Sequence, residues 1–210
     1  MQQELPVAVD NAHMNTFQIR ARFNQNRLTV YQGHSQSVAD ASLASGKLVL
    51  APKAADSLWI TTSFLDAMRD SDWAMREGQH RILSLHMSRQ GFEWALDHAV
   101  SAGFDPERFD TETQWQRALA HSPVRVQWDQ ALSLNGKPAG YMTPRLGLAL
   151  EARERFLSEW ISDISDVTPH VLKIHQLVLD EDWEAAESRV PGEQPYPLRH
   201  SLRQRLGIAA

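Results

Sequence analysis

Arg81-Ile82-Leu83-Ser84-Leu85-His86-Met87-Ser88 is the stretch on which the fold turns. Eight residues that include Ile82, Leu83, Leu85 and Met87, with no proline or glycine inside them, read as a long strand. Gly91 marks its end, and Phe92, Leu96, Ala99 and Val100 then recur at helical spacing, which predicts a helix from Phe92 to about Ala102. A buried strand that hands over directly to a helix belongs to a sheet with helices packed on it.

Strands are predicted on both sides of this centre. Arg27-Leu28-Thr29-Val30-Tyr31-Gln32 is short and β-rich, and Leu48-Val49-Leu50 and Leu58-Trp59-Ile60-Thr61 read as extended pieces around Pro52. Pro123-Val124-Arg125-Val126-Gln127-Trp128 alternates in period two, as a half-buried strand does. Asn135-Gly136 is a hairpin dipeptide, so Lys137 to Leu150 returns as one or two further strands. Between them, Ser35 or Ser37 caps a helix that stops at Gly46, Phe64 to Trp73 has helical spacing, and Thr111-x-x-Gln114 opens another helix.

The last 60 residues change character. Ala152, Phe156, Leu157, Trp160, Ile161 and Ile164 form an amphipathic helical stripe. Asp166-Val167-Thr168-Pro169 opens a second helix, a third runs from about Asp182 to Ser188, and Pro191 to Pro197 is a turn-rich stop. The expected fold is α+β: a small antiparallel or mixed sheet body with a helical C-terminal third, from about residue 151, packed on it. Residues 1–16 read as a loose N-terminal arm and 17–210 as a single domain, because no Pro/Gly/Ser linker divides them.

Composition removes whole classes of function. With 42% hydrophobic and 22% charged residues the chain is globular, and no apolar run approaches the ~18–20 residues of a membrane span. The start, Met1-Gln-Gln-Glu-Leu-Pro, lacks the features of a signal peptide and there is no cysteine, so the expectation is a cytoplasmic protein without disulfides or thiolate chemistry. A net charge of -5 argues against nucleic-acid binding by bulk charge, while leaving room for a local patch. No P-loop, Rossmann glycine pattern or nucleophile elbow occurs. Nine histidines invite a metal, but His170 and His175 lie five apart, ~140° around a helix, so no metal site is expected.

Three segments carry chemistry. Tyr31-Gln32-Gly33-His34 offers a ring, an amide and a glycine that lets a ligand approach the backbone. Trp59-Ile60-Thr61-Thr62-Ser63-Phe64 places three hydroxyls at a helix entry, where Thr62 or Ser63 serves as N-cap or as part of an anion site. In Val124–Asp129, Arg125, Gln127 and Asp129 share one strand face, either a recognition surface or the solvated side of an edge strand.

These segments, with Arg89-x-Gly91-Phe92-Glu93-Trp94-Ala95-Leu96, Asp166–Pro169 and Pro195-Tyr196-Pro197-Leu198, resemble in order the domain of unknown function 4291 family, found in bacteria and some eukaryotes. The resemblance spans nearly the whole chain from Phe17 but implies no settled activity. Where members carry Arg-Met-Thr before Trp-Ile and Lys-Pro before Ser-Phe, this chain has Asp56-Ser57-Leu58 and Thr61-Thr62, so an inactive, divergent member is one reading.

The order of motifs also looks like that of ADP-ribosyltransferase-type folds. That likeness implies an enzyme using NAD, a small-molecule nucleotide. Gln32 and Asp129 would be catalytic, with Glu151 as a substitute carboxylate. Tyr31, Gly33, Trp59, Thr62, Ser63, Arg125 and Gln127 would bind the cofactor. The alternative is a non-catalytic module for single-stranded nucleic acid or a peptide, using Arg125, Gln127 and exposed tryptophans.

Overall fold

The computed structural model describes residues 16–50 and 57–208. Two long strands, β3 (Arg27–His34) and β5 (Arg81–Ser88), pair antiparallel over their whole length, from Arg27 opposite Ser88 to His34 opposite Arg81. Leu28, Val30, Leu83, Leu85 and Met87 of this pair are buried in the main core.

Outward from β3 lie β4 (Leu58–Thr61), β8 (Pro138–Leu148), β7 (Val124–Leu132) and β6 (Ala99–Ser101); outward from β5 lies β9 (Ile161–Asp166). β7 and β8 are the hairpin expected at Asn135-Gly136, with Gly136 at φ 77°, where glycine is favoured. β6 runs parallel to β7, and β1 (Thr16–Phe17) adds in parallel to β8. The sheet is therefore mixed. A second small ladder joins β2 (Arg20–Ala21) to β10 (Gln194–Pro195), tying the C-terminal segment to the start of the fold.

Helices cover both faces. α1 (Gln36–Ser45) is capped by Ser35 and closed by Gly46 at φ 66°. α2 (Phe64–Asp70) starts at Ser63, whose side chain accepts from the Asp66 amide. α3 (Arg89–Asp97) follows β5 with Ser88 as cap, and α4 (Glu112–His121) opens on Thr111. The chain continues through α5 (Leu150–Arg155), α6 (Thr168–Leu179), α7 (Trp183–Glu187) and α8 (His200–Leu206). Leu202 and Leu206 of α8 join the main core, whereas Val171 and Ile174 of α6 pack with Tyr31, Phe64 and Ile82 in a second core. The fold is α+β, with an antiparallel-rich mixed sheet and a C-terminal helical cluster.

Several boundaries differ from expectation. The helix from Phe92 ends at Asp97 rather than Ala102, because Ala99–Ser101 is drawn into pairing with Val124–Val126. The stripe from Ala152 to Ile164 is no single helix. It runs as α5, a π-helical turn over Phe156–Trp160, and then β9, whose Ile161 and Ile164 sit opposite Met87 and Leu85. Helical and strand readings of those apolar spacings coincide, and the open edge of β5 decides between them. α4 buries none of its residues fully, so its expected inner face is shallow. β10 and α8 were not foreseen. Pro52 and residues 1–15 lie outside the described residues, and Thr16 pairs with Tyr141.

Candidate functional site

The sheet is split between β3 and β4. These neighbours share one paired position, Tyr31 opposite Thr61, and beyond it their ends diverge toward His34 and Leu58. A cleft of about 570 Å³ occupies the split. Gln32, Gly33 and His34 form one wall and Leu58, Trp59 and Ile60 the other. α1 contributes Val38, α2 contributes Ala67 and Asp70, and Arg145 reaches in from β8.

Gln32 is the strut across this gap. Its carboxamide nitrogen donates to the Trp59 carbonyl oxygen at 2.6 Å, and its oxygen lies 3.3 Å from His34 Nε2. A side chain thus replaces the ladder hydrogen bond that the diverging backbones no longer make. Burial pushes the His34 imidazole down to about 4, so the ring is neutral at pH 7.

Register places the remaining expected residues. Thr61 faces Arg145, which faces Gln127; Trp59 faces Gly147, which faces Arg125; and Thr143 faces Asp129. Directly opposed residues share a face, so Tyr31, Trp59, Arg125, Gln127 and Asp129 lie on the same side of the sheet as Arg145. Trp59 is 41% exposed, and its indole lies against Gly147, where any side chain would crowd the ring. Arg145 Nη2 binds Asp70 Oδ1 at 2.5 Å. Its Nε lies 3.0 Å from Asp129 Oδ2, out of line, so charge attraction rather than an aligned hydrogen bond holds that pair. Gln127 Nε2 donates to the other Asp129 oxygen at 2.8 Å. Arg125 has a buried Nε without a hydrogen-bond partner and no carboxylate within ion-pair reach among the described residues.

The split therefore draws Tyr31–Gly33 and Trp59 together, with Asp129 one strand behind Arg145. Not every expected residue faces the cleft. Tyr31 lends it an edge but is 3% exposed, packed edge-on against Phe64. The space above Gly33 is filled by the Gln79 side chain. Thr62 donates to the Arg20 carbonyl at 2.7 Å, and Ser63 caps α2; neither lines the cleft. Glu151 is exposed at the start of α5. Asp70, Gln79 and Arg145 belong to the cleft although sequence reasoning gave them no role. Arg145 was hidden, because a register shift between Gln130 and Leu132 carries it opposite Gln127, two residues past the position that counting from the Leu132–Pro138 pair gives.

A family model described as Domain of unknown function (DUF4291) matches residues 18–196, from β2 through β10 and including the whole split. The chain belongs to this family. No match is found among curated proteins. The DUF4291 match takes in every residue of the cleft as well as the C-terminal strap at Glu193–Tyr196. Among the described residues of this DUF4291 chain no group of three or more metal-binding side chains converges, and no helix is long and apolar enough to cross a membrane.

Proposed function

We propose that the split is a nucleotide pocket and that the chain acts as an NAD-using transferase of the ADP-ribosyltransferase type. The observation that carries this reading is the divergence of β3 and β4 past Tyr31 and Thr61. It opens a cleft of ligand size inside the sheet, lined by an exposed indole, amides and a carboxylate. NAD, when bound, supplies a nicotinamide–ribose bond whose cleavage passes through a cationic, oxocarbenium-like sugar.

The residues fit such a ligand in part. Trp59 rather than Tyr31 offers the flat face for a heteroaromatic ring, because Tyr31 is enclosed. Arg125, two strands from Trp59 and outside the cleft lining, has an unmatched buried Nε and would suit a phosphate that extends beyond the cleft. Asp70, on the cleft wall and paired with Arg145, would face positive charge developing there. Asp129 acts through Arg145, holding that guanidinium between two carboxylates. Gln32 keeps the two walls at fixed separation.

A second reading has its own support. Asp129 is already matched by Arg145 and Gln127, which suits a pocket that holds a nucleotide without turning it over. Thermal-shift titration with NAD, beside ATP and a short single-stranded RNA, tests the pocket. At 100 times its dissociation constant a specific ligand adds ~2.7 kcal/mol, or roughly 5–10 °C at this chain length. The expected result is a shift with NAD that disappears in Trp59→Ala. A shift with RNA alone, or an NAD shift untouched by Trp59→Ala, contradicts the proposal.

A further inference from the structure

A second hollow, of about 460 Å³, lies toward the opposite end of β3 and shares no lining residue with the cleft. Thr29 and Gly33 are four residues apart, roughly 13 Å along a strand, so one small group cannot occupy both places. The floor of the hollow follows from register. Thr29 is paired with His86 and Tyr31 with Ser84, while Ser165 on β9 is paired with Ser84. Thr29, Ser84 and Ser165 therefore present hydroxyls from three adjacent strands on one face. Arg27 comes from the first residue of β3. Arg22 comes from the chain folding back on it, where the Thr29 amide donates to the Arg22 carbonyl at 2.9 Å.

The charges there are unbalanced. Among the described residues neither Arg22 nor Arg27 has a carboxylate in ion-pair range or a side-chain hydrogen bond. The nearby acid, Asp163, is half exposed and lies 3.4 Å from His86 Nδ1, a nitrogen that is buried and makes no hydrogen bond. Two exposed arginines lining a hollow floored by hydroxyls bring the guanidinium forks and spare N–H donors from which a tetrahedral oxyanion accepts hydrogen bonds. We infer that Arg22, Arg27, Thr29, Ser84 and Ser165 form a second binding site, for the phosphate group of a phosphorylated small molecule.

His86 stands beside this site as a built-in reporter. Burial first, then the positive charge of Arg27, holds its imidazole below the usual value, with Arg22 adding to this and Asp163 opposing it. A bound phosphate offsets both arginines and raises the ring's titration point. The experiment follows the His86 Cε1–H resonance through a pH series with inorganic phosphate, with glycerol 3-phosphate, and with chloride at matched ionic strength. Either phosphate is expected to raise the titration point saturably, and tighter binding of the ester identifies the phosphorylated small molecule over free phosphate. The Arg22→Gln/Arg27→Gln double variant should bind about tenfold or more weakly, with an unchanged melting temperature. Should that variant fold poorly, Thr29→Val gives a milder weakening on the same readout. Trp59→Ala keeps the response, which separates this site from the nucleotide cleft. A chloride response equal to that of phosphate, or a phosphate response intact in the variants, overturns the inference.

Discussion

The carboxamide of Gln32 spans the split in the sheet to the main-chain oxygen of Trp59, 2.6 Å away, at the point where β3 and β4 cease to pair. Gln32 is 7% exposed, so cutting it back opens a gap in the sheet and leaves the part-buried Trp59 carbonyl short of a donor. Gln32→Ala is expected to cost about 1–2 kcal/mol. At this chain length that is roughly 3–6 °C of melting temperature. Gln32→Glu should be worse, since a carboxylate then faces the Trp59 carbonyl. Differential scanning calorimetry on both variants checks the order.

Gly91 sets two effects against each other. Helix propensity favours alanine in α3 by about 1 kcal/mol. A methyl group on Gly91, however, would enter the Trp160 ring, which lies against the backbone there. Trp160 is buried and cannot swing away cheaply, so overpacking of about 1–3 kcal/mol wins. Gly91→Ala is expected to lower the urea midpoint, and Gly91→Ala with Trp160→Leu to recover part of the loss.

Glu193 gives the fold a pH dependence of unusual sign. Its carboxylate accepts from the Phe64 amide at 2.6 Å, yet burial, with Asp66 adding to it, pushes the carboxyl up to about 7 against an ordinary 4.5. Between those values the native state holds a proton that the unfolded state has released. This contribution to stability is therefore present below pH 4.5 and fades as pH rises to 7. Glu193→Gln, which keeps an acceptor for Phe64, should gain stability over wild type at pH 8 and gain none at pH 4.5. His34 works in the other direction: its depressed value of about 4 favours the fold above 6.5 and is lost as pH falls toward 4. Melting curves of wild type, Glu193→Gln and His34→Asn across pH 4 to 8 separate the two.

Removing Arg145 leaves Asp70 and Asp129 facing each other without their shared cation. Because all three side chains retain some exposure, the expected cost of Arg145→Met is only about 1–2 kcal/mol, well below that of a fully buried pair. The deficit should shrink when Asp129→Asn is added. Added salt should reduce it as well. Urea titrations at two ionic strengths measure both.

Much of this arrangement was legible in the sequence. Ser35 with Gly46, Ser63, Thr111 and Asp182 mark helix ends by chemistry that acts within four residues. The period-two face of Arg125, Gln127 and Asp129 and the Asn135-Gly136 turn are equally local. What stayed hidden depends on partners far along the chain. Ile161–Asp166 becomes a strand only because β5 has a free edge, and Glu193 reaches the Phe64 amide from 129 residues away. Gly33 shows the same limit at the site itself, since spacing cannot reveal that Gln79 fills the room its missing side chain leaves.

If the split in the sheet handles NAD as proposed, the wild-type protein releases nicotinamide from it. The protein would be incubated with NAD and free nicotinamide followed by chromatography, beside Asp70→Asn and Trp59→Ala. The account predicts release by the wild type that falls on the order of 100-fold in Asp70→Asn. It also predicts loss of binding in Trp59→Ala. NAD left intact by a folded wild type, or release that both variants retain in full, would contradict it.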